Sequence, residues 1–225
     1  MSFRLSPCVG ICSPNATDAI ELYRDALGAR SIPGEGLVHL ACGQLHIFVD
    51  PGQPRPPVFE FLVSNLADAR KVAKSSGFEE IIWQGQGGNN FIVDPFGITW
   101  NVTHDLGFDP HEFKSGKSPV LPKLGILTHE PHNAAMYYSA ILGEPASKIE
   151  DAFIIDSGTI RLRIQAGLPV GSCLWLSSEF DPHLLGGQPG KTSLTDANRV
   201  HWRIALPNPG TQAAVLIQEE PKSKQ

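Results

Sequence analysis

The chain repeats itself. Residues 8–28 (CVGICSPNATDAIELYRDALG) align without a gap on residues 123–143 (KLGILTHEPHNAAMYYSAILG), with six identical residues across 21 positions. Gly10, Ile11, Ala19, Tyr23, Leu27 and Gly28 recur as Gly125, Ile126, Ala134, Tyr138, Leu142 and Gly143. The register holds further on: Gly43 falls on Gly158, and Leu45 to Val49 on Ile160 to Ile164. The identities sit at turn, core and cap positions of one strand-then-helix unit, so each half must be built the same way.

The pattern within each half gives the unit. An apolar strand over Leu5 to Cys12 leads through Ser13-Pro14-Asn15 into a helix over Ala16 to Leu27, whose Ala19, Ile20, Tyr23 and Leu27 share one face. Gly28 stands where a helix end favours positive φ. Strands are predicted over Gly36 to Ala41 and Gln44 to Val49, then a proline-rich linker over Asp50 to Pro57. A second unit follows: strand Val58 to Val63, helix Leu66 to Ser76 capped by Asn65 and closed by Gly77, then strands Phe78 to Gln84, Asn90 to Asp94 and Ile98 to Thr103. The run Gln84 to Asn90 (QGQGGNN) lacks the ending of a phosphate loop and reads as a hairpin turn. Residues 1–106 thus form one domain, 107–122 an interdomain linker and 123–225 a second domain.

In the second domain the pattern predicts strand Leu124 to Thr128, helix His132 to Ile141, and strands Ala152 to Asp156, Thr159 to Gln165 and Cys173 to Ser177. A Gly- and Pro-rich loop, Asp181 to Asn198, precedes a strand over Val200 to Leu206, read as the opening strand of the last unit, and a helix over Thr211 to Glu220. The last unit is then incomplete, lacking its closing strands. The expected fold class is α+β, two domains of tandem βαβββ units with the second truncated. The edges left by the missing strands allow a homodimer, or docking of the last helix on the second sheet.

Composition narrows the classes. A net charge of −5 offers no global attraction for nucleic acid or an anionic membrane surface. No segment reaches the roughly 18 apolar residues of a membrane span, and Pro7 interrupts the N-terminal stretch too early for a secretory signal. Cys8 and Cys12, on one strand, would lie about 13 Å apart, too far to bridge. Cys8, Cys12, Cys42 and Cys173 read as free thiols of a cytoplasmic protein.

Three segments carry a resemblance: VGICSPNATDAIELYRDALG, FEFLVSNLADARKVAKSSGF and FIVDPFGITWNV. In this order they resemble the opening strand and helix, the second strand and helix, and the closing hairpin of the vicinal oxygen chelate superfamily, which includes glyoxalase I, extradiol dioxygenases and bleomycin-resistance proteins. The resemblance covers nearly all of the first domain. In the second it covers the first half and, again, residues 201–220 (HWRIALPNPGTQAAVLIQEE). It implies a cup-shaped sheet in each domain and a divalent metal held from four strand positions, which map here to Cys8, His46, Val58 and Asn101. Valine cannot ligate and a neutral amide is a poor ligand. Cys8, His46 and Glu60, the last two residues beyond Val58, remain as weak metal candidates, and no cofactor is expected. In the second domain the implied positions fall on Lys123 and Arg161, which exclude a metal, with His201 keeping a ligand type.

The residues allow plainer readings. Cys8 reads first as a small buried apolar side chain, and His46 also as an imidazole hydrogen-bonded inside the cup. Glu60, between apolar neighbours in VFEFLV, faces either the cup or open water. If it faces the cup it should pair with His46. Asn101 and Thr103 line the same cup. Arg161 and Arg163 leave one face of their strand, either toward solvent or into the second cup, where they would clamp a carboxylate or phosphate. The expected function is a small-molecule-binding protein with a degenerate metal site, taking a small organic ligand in the first cup. Two alternatives stand beside it: a metal-dependent lyase or dioxygenase with an atypical ligand set, and an interaction subunit acting through dimerisation.

Overall fold

The computed structural model describes residues 3–33, 38–107, 117–158 and 160–206. The first unit consists of β1 (Arg4–Ser13), α1 (Ala16–Leu27), β2 (Arg30–Ile32), β3 (Val38–Cys42) and β4 (Leu45–Pro51). Asn15 starts α1 by accepting the backbone N–H groups of Thr17 and Asp18 on its side chain. Gly28 ends it at φ +63°, a left-handed conformation that costs a residue with a Cβ. The second unit consists of β5 (Val58–Val63), α2 (Leu66–Ser75), β6 (Glu79–Trp83), β7 (Asn90–Val93) and β8 (Thr99–His104). The two units form one sheet in the order β2-β3-β4-β1-β5-β8-β7-β6. Its centre is two parallel pairs set antiparallel to one another: β1 runs parallel to β4 and β5 parallel to β8, while β1 and β5 are antiparallel.

The second half repeats this frame with β9 (Val120–Thr128), α3 (Pro131–Leu142), β10 (Ala146–Ile149), β11 (Ala152–Asp156) and β12 (Arg161–Ala166). The last unit is β13 (Gly171–Leu176), a 3-10 turn over Pro182–Leu185, β14 (Ser193–Thr195) and β15 (His201–Ile204). The sheet order is β10-β11-β12-β9-β13-β15-β14. The α+β architecture of two such sheets, the second smaller, is the one the repeat predicts. The place of the deficit differs from the expectation. β15 pairs in parallel with β13, as β8 does with β5, so the strand bearing His201 closes the last unit and Gly171–Leu176 opens it. What the last unit lacks among the described residues is a counterpart to the α2–β6 segment, replaced by the short 3-10 turn. The helix expected over Thr211 to Glu220 lies outside the described residues, as do Gly34 to Leu37 and most of the linker. The short strands β2 and β10 carry no apolar alternation, and their exposure explains why the pattern omitted them.

On β1, Val9 and Ile11 point into a core shared by both halves, a continuous cluster that also takes in Ile126, Tyr138, Trp202 and Leu185. Two buried aspartates join the halves. Asp94 Oδ1 accepts the backbone N–H of Phe96 (2.8 Å) and Ile98 (3.0 Å), which shapes the turn, and its Oδ2 accepts Trp100 Nε1 at 2.7 Å and the hydroxyl of Tyr138 from α3. Asp196 does the same with Asn198 (2.9 Å), Val200 (3.0 Å), Trp202 (2.8 Å) and the Tyr23 hydroxyl of α1 (2.9 Å). Gly97 at φ +79° in the first turn is matched by Arg199 at φ +60° in the second. Each half's helix thus supplies the last donor to the other half's closing turn.

Burial is the leading cause that pushes both tyrosine hydroxyls above their ordinary value, and the neighbouring aspartate charge adds to it. A value raised in the folded state gives stability that is present below the unfolded value, near pH 10, and lost as pH rises above it. The midpoint of urea unfolding should therefore fall above about pH 10. Tyr23→Phe or Tyr138→Phe leaves a buried carboxylate one donor short and should cost about 1–3 kcal/mol at neutral pH. Each variant should also show a shallower alkaline decline than the parent.

Candidate functional site

Strand alternation divides β1 cleanly. Val9 and Ile11 enter the core, so Ser6, Cys8 and Gly10 face the other way. Register then assembles that face: Cys8 lies beside His46, Gly10 beside Phe48 and Val58, and Glu60 beside Asn101. A cavity of about 240 Å³ opens here, lined by Cys8, Phe48, Val58, Glu60, Phe91 and Asn101, with Asp50, Arg55 and Asn89 toward its edge. Arg55, from the proline-rich linker, sits 5.5 Å from the centre of the Phe91 ring.

Glu60 is held on both oxygens. Ser6 Oγ donates to Oε1 at 2.7 Å, Thr103 Oγ1 to Oε2 at 2.7 Å, and Asn101 Nδ2 to Oε2 at 3.3 Å. Asn101 is oriented in turn by accepting the backbone N–H of Asn90 at 3.1 Å. The carboxylate is thus presented to the cavity in one orientation, as an acceptor. His46 takes a different partner from the one expected: its Nδ1 lies 2.7 Å from Nε2 of His39. His39 stacks on Phe48 at 4.4 Å, and burial holds its imidazole below the ordinary value. His46 is fully buried and does not line the cavity, so the anticipated Glu60–His46 pair is corrected to two separate networks. His39 was not foreseen, although the β3–β4 hairpin, turning at Gly43 and Gln44, is what sets it diagonally opposite His46. Phe48 and Phe91, also unforeseen, follow from the same alternation once β4 and β7 are placed.

Two of the four positions at which the resemblance implies a metal, Val58 and Asn101, carry no good ligand. Val58 brings no donor atom. The Cys8 thiol is pushed up by burial first and by the Glu60 charge second. Glu60 already accepts three donors, which leaves about one of its roughly four lone pairs toward the cavity. Among the described residues no three His, Cys, Asp or Glu side chains gather as a metal would require.

The second half presents the corresponding face with other chemistry. Arg161 lies beside Lys123, Arg163 and Cys173 beside Gly125, and Trp175 beside Arg203. Position for position, Lys123 replaces Cys8, Arg161 replaces His46, Trp175 replaces Glu60 and Arg203 replaces Asn101. Arg161 and Arg163 therefore leave β12 on the cup side. His201 occupies the place of Thr99, on the closing strand; it is buried, with Nδ1 3.0 Å from Thr195 Oγ1. Burial and the Arg203 charge lower its imidazole value. Gly125 is needed here, since a Cβ would come within 2.3 Å of Cys173 Sγ and 2.7 Å of Trp175 Nε1, whereas one at Gly10 meets nothing closer than 3.6 Å.

No family model matches the chain, and no curated protein matches it. Solved structures do. The chain is similar to 2,2',3-trihydroxybiphenyl 1,2-dioxygenase from Sphingomonas wittichii (TM-score 0.55, 14% identity, covering 92% of this chain and 91% of that one). It is also similar to a Mn(II)-bound glyoxalase from Novosphingobium aromaticivorans (TM-score 0.56, 12% identity, 92% and 88% covered). A third is homoprotocatechuate 2,3-dioxygenase from Arthrobacter globiformis (TM-score 0.60, 14% identity, 90% and 79% covered). At these identities the likeness shows a shared fold. No helix among the described residues is long and apolar enough to cross a membrane.

Two outcomes check the site's geometry. Gly125→Ala should destabilise the protein by about 1–3 kcal/mol through overpacking against Cys173 and Trp175, while Gly10→Ala should stay within about 0.5 kcal/mol of the parent. Burial pushes the thiols of Cys42 and Cys173 up to about 12 and that of Cys8 higher still. These three cysteines should accordingly resist a disulfide-exchange reagent at pH 8 in the folded protein and react once urea unfolds it.

Proposed function

We propose that the first cup binds a small, flat organic molecule without a metal. The observation that carries this reading is the Glu60 carboxylate, fixed by Ser6, Thr103 and Asn101 at the base of a cavity walled by Phe48 and Phe91. Two aromatic walls and one oriented acceptor suit a ring that carries hydroxyl or amine donors. At about 240 Å³ the cavity is smaller than the roughly 300–1,000 Å³ of sites for drug-sized molecules, so a single substituted ring is the right scale. The dioxygenases that share the fold act, by their names, on hydroxylated aromatic compounds, and a ring of that kind would meet Glu60 through its hydroxyl groups. Here the metal positions hold Val58, a high-value thiol and committed side chains, so the proposed role is recognition, by sequestering or sensing the ligand.

The chain's own residues divide the work. Phe48 and Phe91 exclude water and hold the ring, Glu60 accepts its donors, and Arg55 at the edge stacks on Phe91. Calorimetric titration with catechol and with phenol, in the presence of a chelator, tests the reading. Catechol should bind, phenol more weakly, and Glu60→Leu should lower catechol affinity at least about tenfold, the scale of a lost hydrogen bond to a charged group. Elemental analysis showing one transition metal per chain, together with loss of catechol binding in chelator, would replace this reading by the metal-dependent enzyme.

A further inference from the structure

The second cup has the same frame as the first and the opposite charge. Three cations surround one indole: Lys123 Nζ lies 5.0 Å, Arg163 Cζ 4.9 Å and Arg203 Cζ 5.8 Å from the Trp175 ring. Arg161 stands beside them on β12. The acids nearby are at the rim. Asp151, whose side chain is 75% exposed, meets Arg163 at 3.1 Å, and Asp156 meets Arg161 at 3.0 Å, both partners largely exposed. Glu144 and Glu150 are exposed at the same edge. Lys123 and Arg203 have no carboxylate partner among the described residues.

Rim carboxylates and Gln165 answer Arg161 and Arg163, but Lys123 and Arg203 are left to one another's charge among the described residues. Like charges repel, and a partly dry site screens them poorly. Lys123 registers the strain: burial first, then Arg163 and Arg161, lower its ammonium value. Attraction to the indole face offsets some of the repulsion but gives no acceptor to an N–H. Among the described residues, two buried donors are left without one, Arg203 Nε and Trp175 Nε1. Buried donors are ordinarily satisfied, and each exception calls for an account. An open cavity of about 760 Å³ adjoins them, lined by Lys123, Arg163, Trp175 and Arg203.

We infer that the second cup is an anion-binding site, in which Lys123, Arg163 and Arg203 close on the oxyanion of a small organic phosphate or carboxylate. The oxyanion supplies the acceptors that Arg203 lacks and the negative charge that relieves Lys123. Arg203, projecting from the closing strand, and Arg163, from β12, approach from opposite sides of Trp175's strand, a disposition suited to gripping one compact group. Arg161 attracts the ligand from the exposed side. The site is separate from the first cup and its assignment does not depend on what binds there.

Calorimetric titration of the full chain at low ionic strength tests it, with inorganic phosphate, phenyl phosphate, benzoate and neutral benzyl alcohol as probes. The anions should bind, benzyl alcohol should not, and affinity should fall as salt is added. Tighter binding of phenyl phosphate than of benzoate assigns a phosphate ester, and the reverse a carboxylate. Lys123→Met and Arg203→Gln should each weaken anion binding at least tenfold, while Arg24→Gln, which removes an exposed cation elsewhere, should leave it unchanged. Lys123→Met should also leave the melting temperature of the ligand-free protein level or raise it, because it removes a repulsive charge. Equal binding of charged and neutral probes, or unchanged anion affinity in Lys123→Met together with a lower melting temperature, would overturn the assignment and make the cations structural.

Discussion

Two buried carboxylates hold this molecule together. Asp94 and Asp196 each shape a closing turn with one oxygen and, with the other, accept a tryptophan from their own half and a tyrosine from the opposite one. A buried carboxylate is costly unless every lone pair is used. Each turn is therefore comfortable only when the other half's helix is docked. The exchange is reciprocal, so the two halves stabilise one another and share one core instead of behaving as beads on a linker. Everything on the outer faces, including both cups, is positioned by this join.

On that common frame the cups differ in the side chains they present. The first presents a fixed acceptor, Glu60, between two phenylalanines. The second presents donors and positive charge around a tryptophan. The changes occur at equivalent strand positions, Glu60 against Trp175 and Asn101 against Arg203, without any change in strand pairing around them. Gly125 shows the accommodation directly, since the indole occupies space that a methyl group would need. A fold of this kind separates the frame, which is set by the inward residues, from the chemistry, which is set by the outward ones.

How much of this could be read from the chain follows the same division. The inward residues announce themselves. α1 and β5 were expected at the boundaries they have, because Asn15, Gly28 and the run Val58 to Val63 are strong local signals. The last unit was misphased because its helix has shrunk to one turn and its closing segment keeps only Asp196 and Trp202 in common with Asp94 and Trp100. That pair, an aspartate and a tryptophan separated by five residues in both halves, is the repeat that would have located the closing strand. The outward residues were legible as a face but not as a network. Alternation gives Glu60, Asn101 and Thr103 a side of their strands, but the distant parallel pairing of β5 with β8 is what joins them, whereas His39 meets His46 across the β3–β4 hairpin, a pairing between neighbouring strands that a local turn encodes.

The absent α2–β6 counterpart leaves its mark on the rim of the second sheet. In the first half β6 covers β7, the strand that carries Phe91, so β7 is paired on both sides. In the second half β14 holds the place of β7 and, among the described residues, is the last strand of its sheet, paired with β15 alone. One row of its backbone N–H and C=O groups therefore faces no further strand, and the smaller sheet ends on a bare selvedge where the larger one is hemmed.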